Sequence, residues 1–405
     1  MFRLAYFVTH PIQYQAPLLR HLASAGELDL RVFFYSDFSL REHHEPDFGT
    51  SFKYDTELVA DYHHELLPRL FIGPSARLRS AWPANGLRQL LREGGFDAIW
   101  VHGWGHVCSW QAISAAGALG IPVFLRGETT PPAERKFRLK GLVRDFLLRW
   151  LFRRVAGFLC IGSLNRKFYQ QYGVADSRLF HMPYAVDNAW FQERCRVAAS
   201  QREALRQELG LESGRPVILF AAKFIPAKAP GDLLAAFQRL QRRCKGPKPY
   251  LLFVGDGPLR SQLETQAGAC PDRDVRFLGF RNQTELPALY DLCDVFVAPS
   301  HFEPWGLVVN EVMNAGRAVI VSDRVGAAPD LVQSGINGWI YPHGDVPALA
   351  SCLSVACDDA DLPGMGQRSL ERIDSWNFET DQNGLLAALE SVCQRVRRVP
   401  DLARR

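Results

Sequence analysis

The chain is predicted to fold as an α/β protein of two Rossmann-like domains. Three observations carry that expectation. Its 405 residues exceed what one ordinary hydrophobic core holds. Short apolar runs alternate with amphipathic stretches through both halves, the beat of strand–helix–strand units that build parallel sheets. Polar residues recur where those runs end, and open α/β sheets bind ligands beyond the carboxyl ends of their strands.

In chain order, Leu4–Val8 reads as a buried strand. The loop Thr9-His10-Pro11-Ile12-Gln13-Tyr14 follows, then a helix with Leu18, Leu19 and Leu22 on one face, then a strand over 30–35. Residues 36–81 are irregular and carry His43, His44, His63 and His64. Adjacent histidines in loops supply no metal geometry, so this region is read as a variable acceptor-binding insertion. A strand over 96–101 ends in His102-Gly103-Trp104-Gly105-His106, and one over 121–125 ends in Arg126-Gly127-Glu128. Three strand ends thus carry polar residues, His10, His102 and Glu128, which a cleft wall explains more simply than core packing. Strands over 157–161 and 179–182 complete the first half, and the domain boundary is placed after 185.

The second half repeats the pattern. A strand ending at Ala222 leads into a loop with Lys223 and Lys228, five residues apart. The strand over 250–254 ends in Gly255-Asp256-Gly257-Pro258, a glycine turn without the full dinucleotide fingerprint. After strands over 275–278 and 294–298 comes HFEPWGLVVNE, residues 301–311, in which a loop opens a helix near Leu307. The N–H groups and dipole of such a helix start attract anions. Glu303 and Glu311 flank it and can accept hydrogen bonds from ligand hydroxyls. The plainer alternative is a capped helix with one solvated Glu, and paired lysines are ordinary on surfaces. The conjunction of lysine loop and helix start favours a diphosphate clamp. Strands over 318–321 and 339–341 and a long helix from about 378 follow.

The totals restrict the function classes. Hydrophobic and charged fractions of 47% and 22% suit a globular chain, and a net charge of +4 gives no general nucleic-acid role. Nine dispersed cysteines without metal-ligand spacing read as reduced thiols of a cytoplasmic protein. The N-terminus reads as a strand rather than a signal peptide, and no run of about 20 apolar residues is present to span a bilayer. One segment departs from the average. Residues 133–154 hold eight basic and two acidic side chains, a local +6, interleaved with Phe, Leu and Trp. Such a segment suits an anionic membrane surface. A helix packed on the sheet with a solvated basic rim is the competing reading.

Lys223, Lys228 and the 303–311 stretch, with Gly316, Ala318-Val319-Ile320 and the turn Gly335-Ile336-Asn337-Gly338, resemble the motifs of the retaining glycosyltransferases of family 4, the group 1 type. The resemblance runs through most of the chain and is strongest over 215–345. It implies a GT-B fold with an interdomain cleft: an acceptor-binding domain over 1–185, a nucleotide-sugar domain over 186–375, and a last helix over 376–405 crossing back to the first. It implies donor contacts from Lys223, Lys228, Gly255, Glu303, Pro304, Trp305, Gly306, Leu307 and Glu311, with Glu303 on sugar hydroxyls and Glu311 on the ribose. His102, Glu303 and Lys228 become the catalytic candidates, and His10, Gln13, His106 and Glu128 the acceptor side. Lys223 stands where the family more often has Arg, keeping the charge but losing the bidentate fork. The family's glycine pair in the first loop is absent; His10-Pro11-Ile12-Gln13 stands there.

The expected reaction moves a sugar from a nucleotide-diphosphate sugar to a saccharide or lipid-linked saccharide, in cell-surface glycan synthesis. Lysines and backbone N–H groups would stabilise the leaving diphosphate, so no metal or cofactor is expected. Same-face attack is favoured over a double displacement, because no carboxylate can be placed as a nucleophile from the sequence. A nucleotide-sugar epimerase of the same fold and a non-catalytic nucleotide-sugar-binding protein are the alternatives. The protein is expected in the cytoplasm, peripheral on the membrane if the 133–154 segment binds lipid.

Overall fold

The computed structural model describes residues 1–45, 47, 49–67, 84–131, 139–243, 246–268, 274–358 and 360–402, with backbone alone at 84–85, 139–140 and 394–402. The chain divides into two compact units. The first comprises Met1–Arg41, Glu57–Tyr184 and Phe378–Arg405, and the second Glu42–Thr56 and Ala185–Asn377.

The elements run β1 (Phe2–Val8), α1 (Ala16–Ser24), β2 (Leu28–Phe34), β3 (His43–Glu45), β4 (Thr50–Phe52), β5 (His63–Leu66), α2 (Ala84–Gly94), β6 (Ala98–His102), α3 (Val107–Ala118), β7 (Val123–Arg126), α4 (Leu139–Phe152), β8 (Gly157–Cys160), α5 (Ser163–Gln171) and β9 (Leu179–His181). All but β3 and β4 belong to the first unit, whose seven-stranded sheet has the order β5-β2-β1-β6-β7-β8-β9. Every pairing in it is parallel, with Leu4 opposite both Leu30 and Ala98. Parallel strands are covered on both faces and therefore read as unbroken apolar runs. One face packs on Leu87, Ile113, Leu151 and Phe168 from α2, α3, α4 and α5. The other packs on Leu18, Leu19 and Leu22 of α1 and, from the chain's far end, on Leu385, Ala388 and Leu389.

Those last residues lie on the long C-terminal helix, which is part of the first unit. Its Asp381 accepts from Arg126 Nη2 at 2.8 Å, and both side chains are fully buried. Arg126 also donates to the carbonyls of Met182 and Pro183. Removing one member of such a pair leaves an uncompensated buried charge, a loss of about 3–5 kcal/mol. Gly384 permits the contact with β9: a Cβ there would stand 1.7 Å from the His181 carbonyl oxygen.

The second unit continues with α6 (Asn188–Ala199), α7 (Arg202–Glu208), β10 (Val217–Ala221), α8 (Pro230–Gln241), β11 (Tyr250–Val254), α9 (Arg260–Ala267), β12 (Val275–Gly279), α10 (Leu286–Leu292), β13 (Val295–Ala298), α11 (Leu307–Asn314), β14 (Ala318–Ser322), α12 (Ala328–Leu331), β15 (Gly338–Tyr341), α13 (Val346–Asp358) and α14 (Leu362–Asp374); the C-terminal helix is α15 (Phe378–Leu402). Its six-stranded sheet, again all parallel, has the order β12-β11-β10-β13-β14-β15. The order reverses direction at β10, whose neighbours are β11 and β13. That is the switch point at which such sheets open a crevice.

One expectation needs correction. Residues 42–56, expected in the acceptor domain over 1–185, belong with the β3–β4 hairpin to the second unit. The reason is a set of contacts no local pattern encodes. Phe52 stacks on Phe280 at 4.4 Å, Asn282 donates to the Lys53 carbonyl at 2.8 Å, and the Thr284 amide donates to Asp55 at 3.1 Å. The basic segment is described only in part: Arg135, Lys136, Phe137 and Arg138 lie outside the described residues, as does the side chain of Lys140. Among the described residues of the segment, Leu148, Leu151 and Phe152 are buried, whereas Leu142, Val143, Phe146, Leu147 and Trp150 are exposed. No described helix is long and apolar enough to cross a membrane.

Candidate functional site

In the second unit, the ends of β10 and β11 and the starts of α10 and α11 surround a cavity of about 140 Å³. It is lined by Ala221, Ala222, Val254, Gly255, Phe280, Arg281, Leu286, Tyr290, Val308 and Glu311. Gly255 has φ +126° and a Cβ there would stand 2.0 Å from the Ala222 carbonyl oxygen, so only glycine lets β11 turn away beside β10. Glu311 sits one turn into α11 and accepts from Tyr290 Oη at 2.6 Å. Burial pushes the Glu311 carboxyl up to about 7, the Tyr290 hydrogen bond offsetting part of the effect. The same burial keeps the Tyr290 hydroxyl protonated.

The loop before α11 is held by its own backbone. His301 and Phe302 amides donate to the Ala227 carbonyl, Glu303 N–H donates to Arg324 O, and Gly326 N–H donates to Glu303 O. Gly306, at φ +95°, takes the N-cap position of α11, a left-handed conformation that favours glycine. This ties the lysine loop to the glutamate loop, and Lys228 Nζ contacts Glu303 Oε2 directly. Lys223 Nζ, five residues earlier, donates to Glu45 at 2.9 Å and to Asp47 at 3.2 Å, both from the β3–β4 hairpin. Both cations of the expected clamp are thus held by carboxylates that an incoming anion would compete with.

Trp305, expected on the donor side, points inward. It is buried, stacks on Trp376 at 5.2 Å and donates from Nε1 to Asn310 at 3.0 Å. Only its backbone, with those of Pro304, Gly306 and Leu307, is left to face a ligand.

The first unit carries a separate polar cluster at its strand ends. Glu128, two residues past β7, accepts from Tyr184 Oη at 2.5 Å and Tyr14 Oη at 3.1 Å, and lies 3.9 Å from His102 Nε2. Gln15 Nε2 lies 3.1 Å from the His102 ring nitrogens and Gln15 Oε1 accepts from the Tyr6 hydroxyl. Burial pushes the Glu128 carboxyl up, but the His102 contact and the two tyrosine hydrogen bonds more than compensate and hold it down at about 2. The tyrosine hydroxyls are pushed well up by burial. An ionised carboxylate ringed by neutral hydroxyls and an imidazole can bind and orient a hydroxyl-bearing ligand.

His102 and Glu128 are therefore brought together, while the other acceptor candidates make local contacts of their own. His10 packs edge-on against Phe38 and its Nδ1 meets Thr9 Oγ1 at 2.9 Å. Gln13 is half-buried in the loop after β1. His106 takes the N-cap position of α3 without capping it through its side chain. Trp104 is drawn inward, stacked on Phe168 at 5.8 Å, and a Cβ on Gly127 would strike it. Tyr14, Gln15, Tyr184 and Tyr290 were not foreseen. A hydroxyl or amide just past a strand end was the available signal for the first three. Tyr290 reads as core in LPALYDL. Among the described residues no three His, Cys, Asp or Glu side chains group to hold a metal ion.

Two halves, each an all-parallel sheet covered by helices, have the architecture of the GT-B class of glycosyltransferases. Comparison gives the family. Residues 201–363 match the model for glycosyl transferases group 1, and residues 11–185 the glycosyl transferase 4-like domain. The chain is 30% identical over 325 residues to the D-inositol 3-phosphate glycosyltransferase of Nocardia farcinica, covering 75% of this chain and 68% of that one. It is also 30% identical over 164 residues to the alpha-D-kanosaminyltransferase of Streptomyces kanamyceticus, covering 40% of this chain and 42% of that one, so the match spans under half of that relative's length. In fold it is similar to Anabaena HepE, solved in complex with UDP and glucose, with a TM-score of 0.69 at 18% identity over 96% of this chain and all of that one. The chain belongs to the group 1 glycosyltransferases, family 4, and is a glycosyltransferase of GT-B fold.

Proposed function

We propose that the protein transfers a sugar, with retention of anomeric configuration, from a nucleotide-diphosphate sugar to a saccharide or lipid-linked saccharide at a membrane surface, in the synthesis of a cell-surface glycan. The carrying observation is the arrangement in the second unit. A crevice at the switch point holds Glu311 from α11, and Lys228 meets Glu303 in the loop that leads into the same helix. HepE, similar in fold, was solved in complex with UDP and glucose, which supports a nucleotide-diphosphate donor.

Glu311 accepts the ribose hydroxyls and Glu303 the sugar hydroxyls. Lys228, Lys223 and the first-turn N–H groups of α11 receive the diphosphate, exchanging their present carboxylate partners for phosphate oxygens. As the bond from the anomeric carbon to phosphate breaks, these groups stabilise the charge that develops on the leaving oxygens. The acceptor hydroxyl approaches to about 3–3.5 Å on the same face. It forms the new carbon–oxygen bond and passes its proton to the departing phosphate. His102 and Glu128 orient the acceptor, with His10, Gln13 and His106 as outer contacts. No divalent metal is required, because the cationic side chains occupy that role. The exposed apolar face of α4 and its arginines hold the enzyme on anionic lipid.

The test is incubation with a panel of nucleotide-diphosphate sugars and lipid-linked acceptors, followed by NMR of the product. An α-linked product from an α-configured donor supports the reading. An inverted product, or epimerised donor without transfer, contradicts it.

A further inference from the structure

The exposed face of α4 ends in an arginine-lined hollow that the transfer reaction does not use. Leu142, Val143, Phe146, Leu147 and Trp150 fall on one arc of the helix and are 42–69% exposed. The opposite arc, with Leu148, Leu151 and Phe152, fills the core. Trp150 stacks on Trp110 at 6.0 Å and carries the Arg154 guanidinium 3.4 Å above its ring. At the C-terminal end of this face a cavity of about 180 Å³ opens, lined by Arg149, Arg153, Arg178, Tyr172 and Gly173 among others.

Part of that positive charge has a structural use. The C-termini of α4 and α5 both direct carbonyls here, and Arg178 caps the carbonyls of Phe152 and Val155. Arg149 donates to the Tyr172 carbonyl over a long 3.4 Å and lies 5.7 Å from the Tyr172 ring. Asp145, the nearby acid, is already engaged by the Tyr172 hydroxyl at 2.6 Å and Arg144 at 3.5 Å. Arg149 and Arg153 are both exposed, and neither forms an ion pair among the described residues. Arg153, and Arg149 held to a carbonyl only by that long contact, thus line a hollow large enough for a phosphate group, at the rim of an apolar face.

We propose that this hollow binds the phosphate of an anionic phospholipid headgroup when α4 lies on the bilayer. The proposal deepens the membrane reading above and rests on it. The fork of guanidinium donors suits phosphate oxygens, and the apolar arc enters the acyl boundary beside it. Docking through α4 would then read headgroup chemistry and not charge alone.

The experiment is co-sedimentation of the full chain with phosphatidylcholine vesicles containing phosphatidylglycerol, or containing oleate matched in surface charge. A diffuse surface cation changes partitioning roughly fivefold, so the pocket variant R149Q/R153Q is compared with the equal-charge control R144Q/R154Q. The proposal expects R149Q/R153Q to lose at least about tenfold more binding than the control on phosphatidylglycerol, with no such gap on oleate. Inorganic phosphate at millimolar levels should not release the wild type. Equal losses in the two variants, the same gap on oleate, or release by free phosphate each overturn it; the last would mark a soluble-anion site. F146S/W150S separates the two levels. If that variant loses vesicle binding while R149Q/R153Q behaves as the control, the headgroup pocket fails and the membrane reading stands. If F146S/W150S binds as the wild type does, the α4 face is not the docking face and both fail. Circular dichroism melting should show all three variants folded, since the substituted side chains are solvent-exposed.

Discussion

Replacing Glu311 by Gln should make the protein more stable above neutral pH while weakening nucleotide binding. Glu311 is raised to about 7 by burial in the crevice floor, against an ordinary value of 4.5. Between those two values the unfolded chain releases the proton and the folded one keeps it. Stability therefore falls as pH rises from about 4.5 to about 7, and the full cost persists above that. Carried through the linkage relation, the gap is worth about 3 kcal/mol. Glutamine keeps the shape and can still accept from Tyr290 Oη, now 2.6 Å from a Glu311 oxygen, but it carries no charge to desolvate. The assay is urea unfolding of wild type and Glu311→Gln at about pH 5 and about pH 8.5. The variant's advantage should grow by roughly 2–3 kcal/mol across that range, while its nucleoside diphosphate affinity drops by about 1.5–3 kcal/mol. Other buried carboxyls, Asp381 among them, titrate in both proteins and cancel in the difference. An advantage that does not change with pH would refute the burial argument. Unchanged nucleotide affinity would refute the ribose contact.

Lys228→Ala should weaken nucleoside diphosphate binding roughly 10–100-fold and leave the bare nucleoside unaffected; calorimetry with both ligands checks it, and equal loss for both sinks the phosphate role. Glu303→Gln should cut turnover yet leave inhibition by free nucleoside diphosphate nearly intact, as steady-state kinetics would show. Glu128→Gln should lower transfer while changing nucleotide affinity by less than about twofold, because its hydrogen bonds hold the acceptor side. Glu128 also gives a stability signature. Held at about 2, it contributes above the ordinary carboxyl range and loses that contribution as pH falls from about 4.5 through 2. With 37% of its side chain exposed, screening leaves about 1 kcal/mol, seen as a shallower acid-unfolding curve for the variant. Activity should persist in excess chelator; loss restored by magnesium or manganese would overturn the metal-free mechanism.

The alternating architecture was legible because parallel strands buried on both faces appear as unbroken apolar runs such as Ala98–Val101 and Val295–Ala298. The Glu303 to Glu311 spacing was legible for a related reason: a loop and helix start are local objects. Which half a segment joins is not local. The 42–56 hairpin sits in the first half of the sequence, yet Phe52 and Asp55 bind residues more than 200 positions away. Side-chain direction in a loop was also hidden. Trp305 was expected among the donor contacts and folds inward as a core aromatic, because its flat face stacks on Trp376. Tyr290 shows the reverse. Its ring packs as LPALYDL suggests, and only the folded structure reveals that its hydroxyl holds Glu311. The basic segment 133–154 advertised an amphipathic character without saying which apolar residues stay outside. α4 has two apolar arcs, and packing on the sheet consumes only the one with Leu148 and Leu151.

The most direct test of the donor assignment is hydrogen exchange, followed by mass spectrometry, with and without a saturating nucleoside diphosphate. Ligand should slow exchange in the peptides spanning 221–228, 254–257, 280–290 and 303–311, which line or adjoin the second unit's crevice, and in Lys228→Ala the same protection should need a correspondingly higher ligand concentration. Protection confined to 98–128 in the first unit, with the 303–311 loop unchanged, would contradict the account.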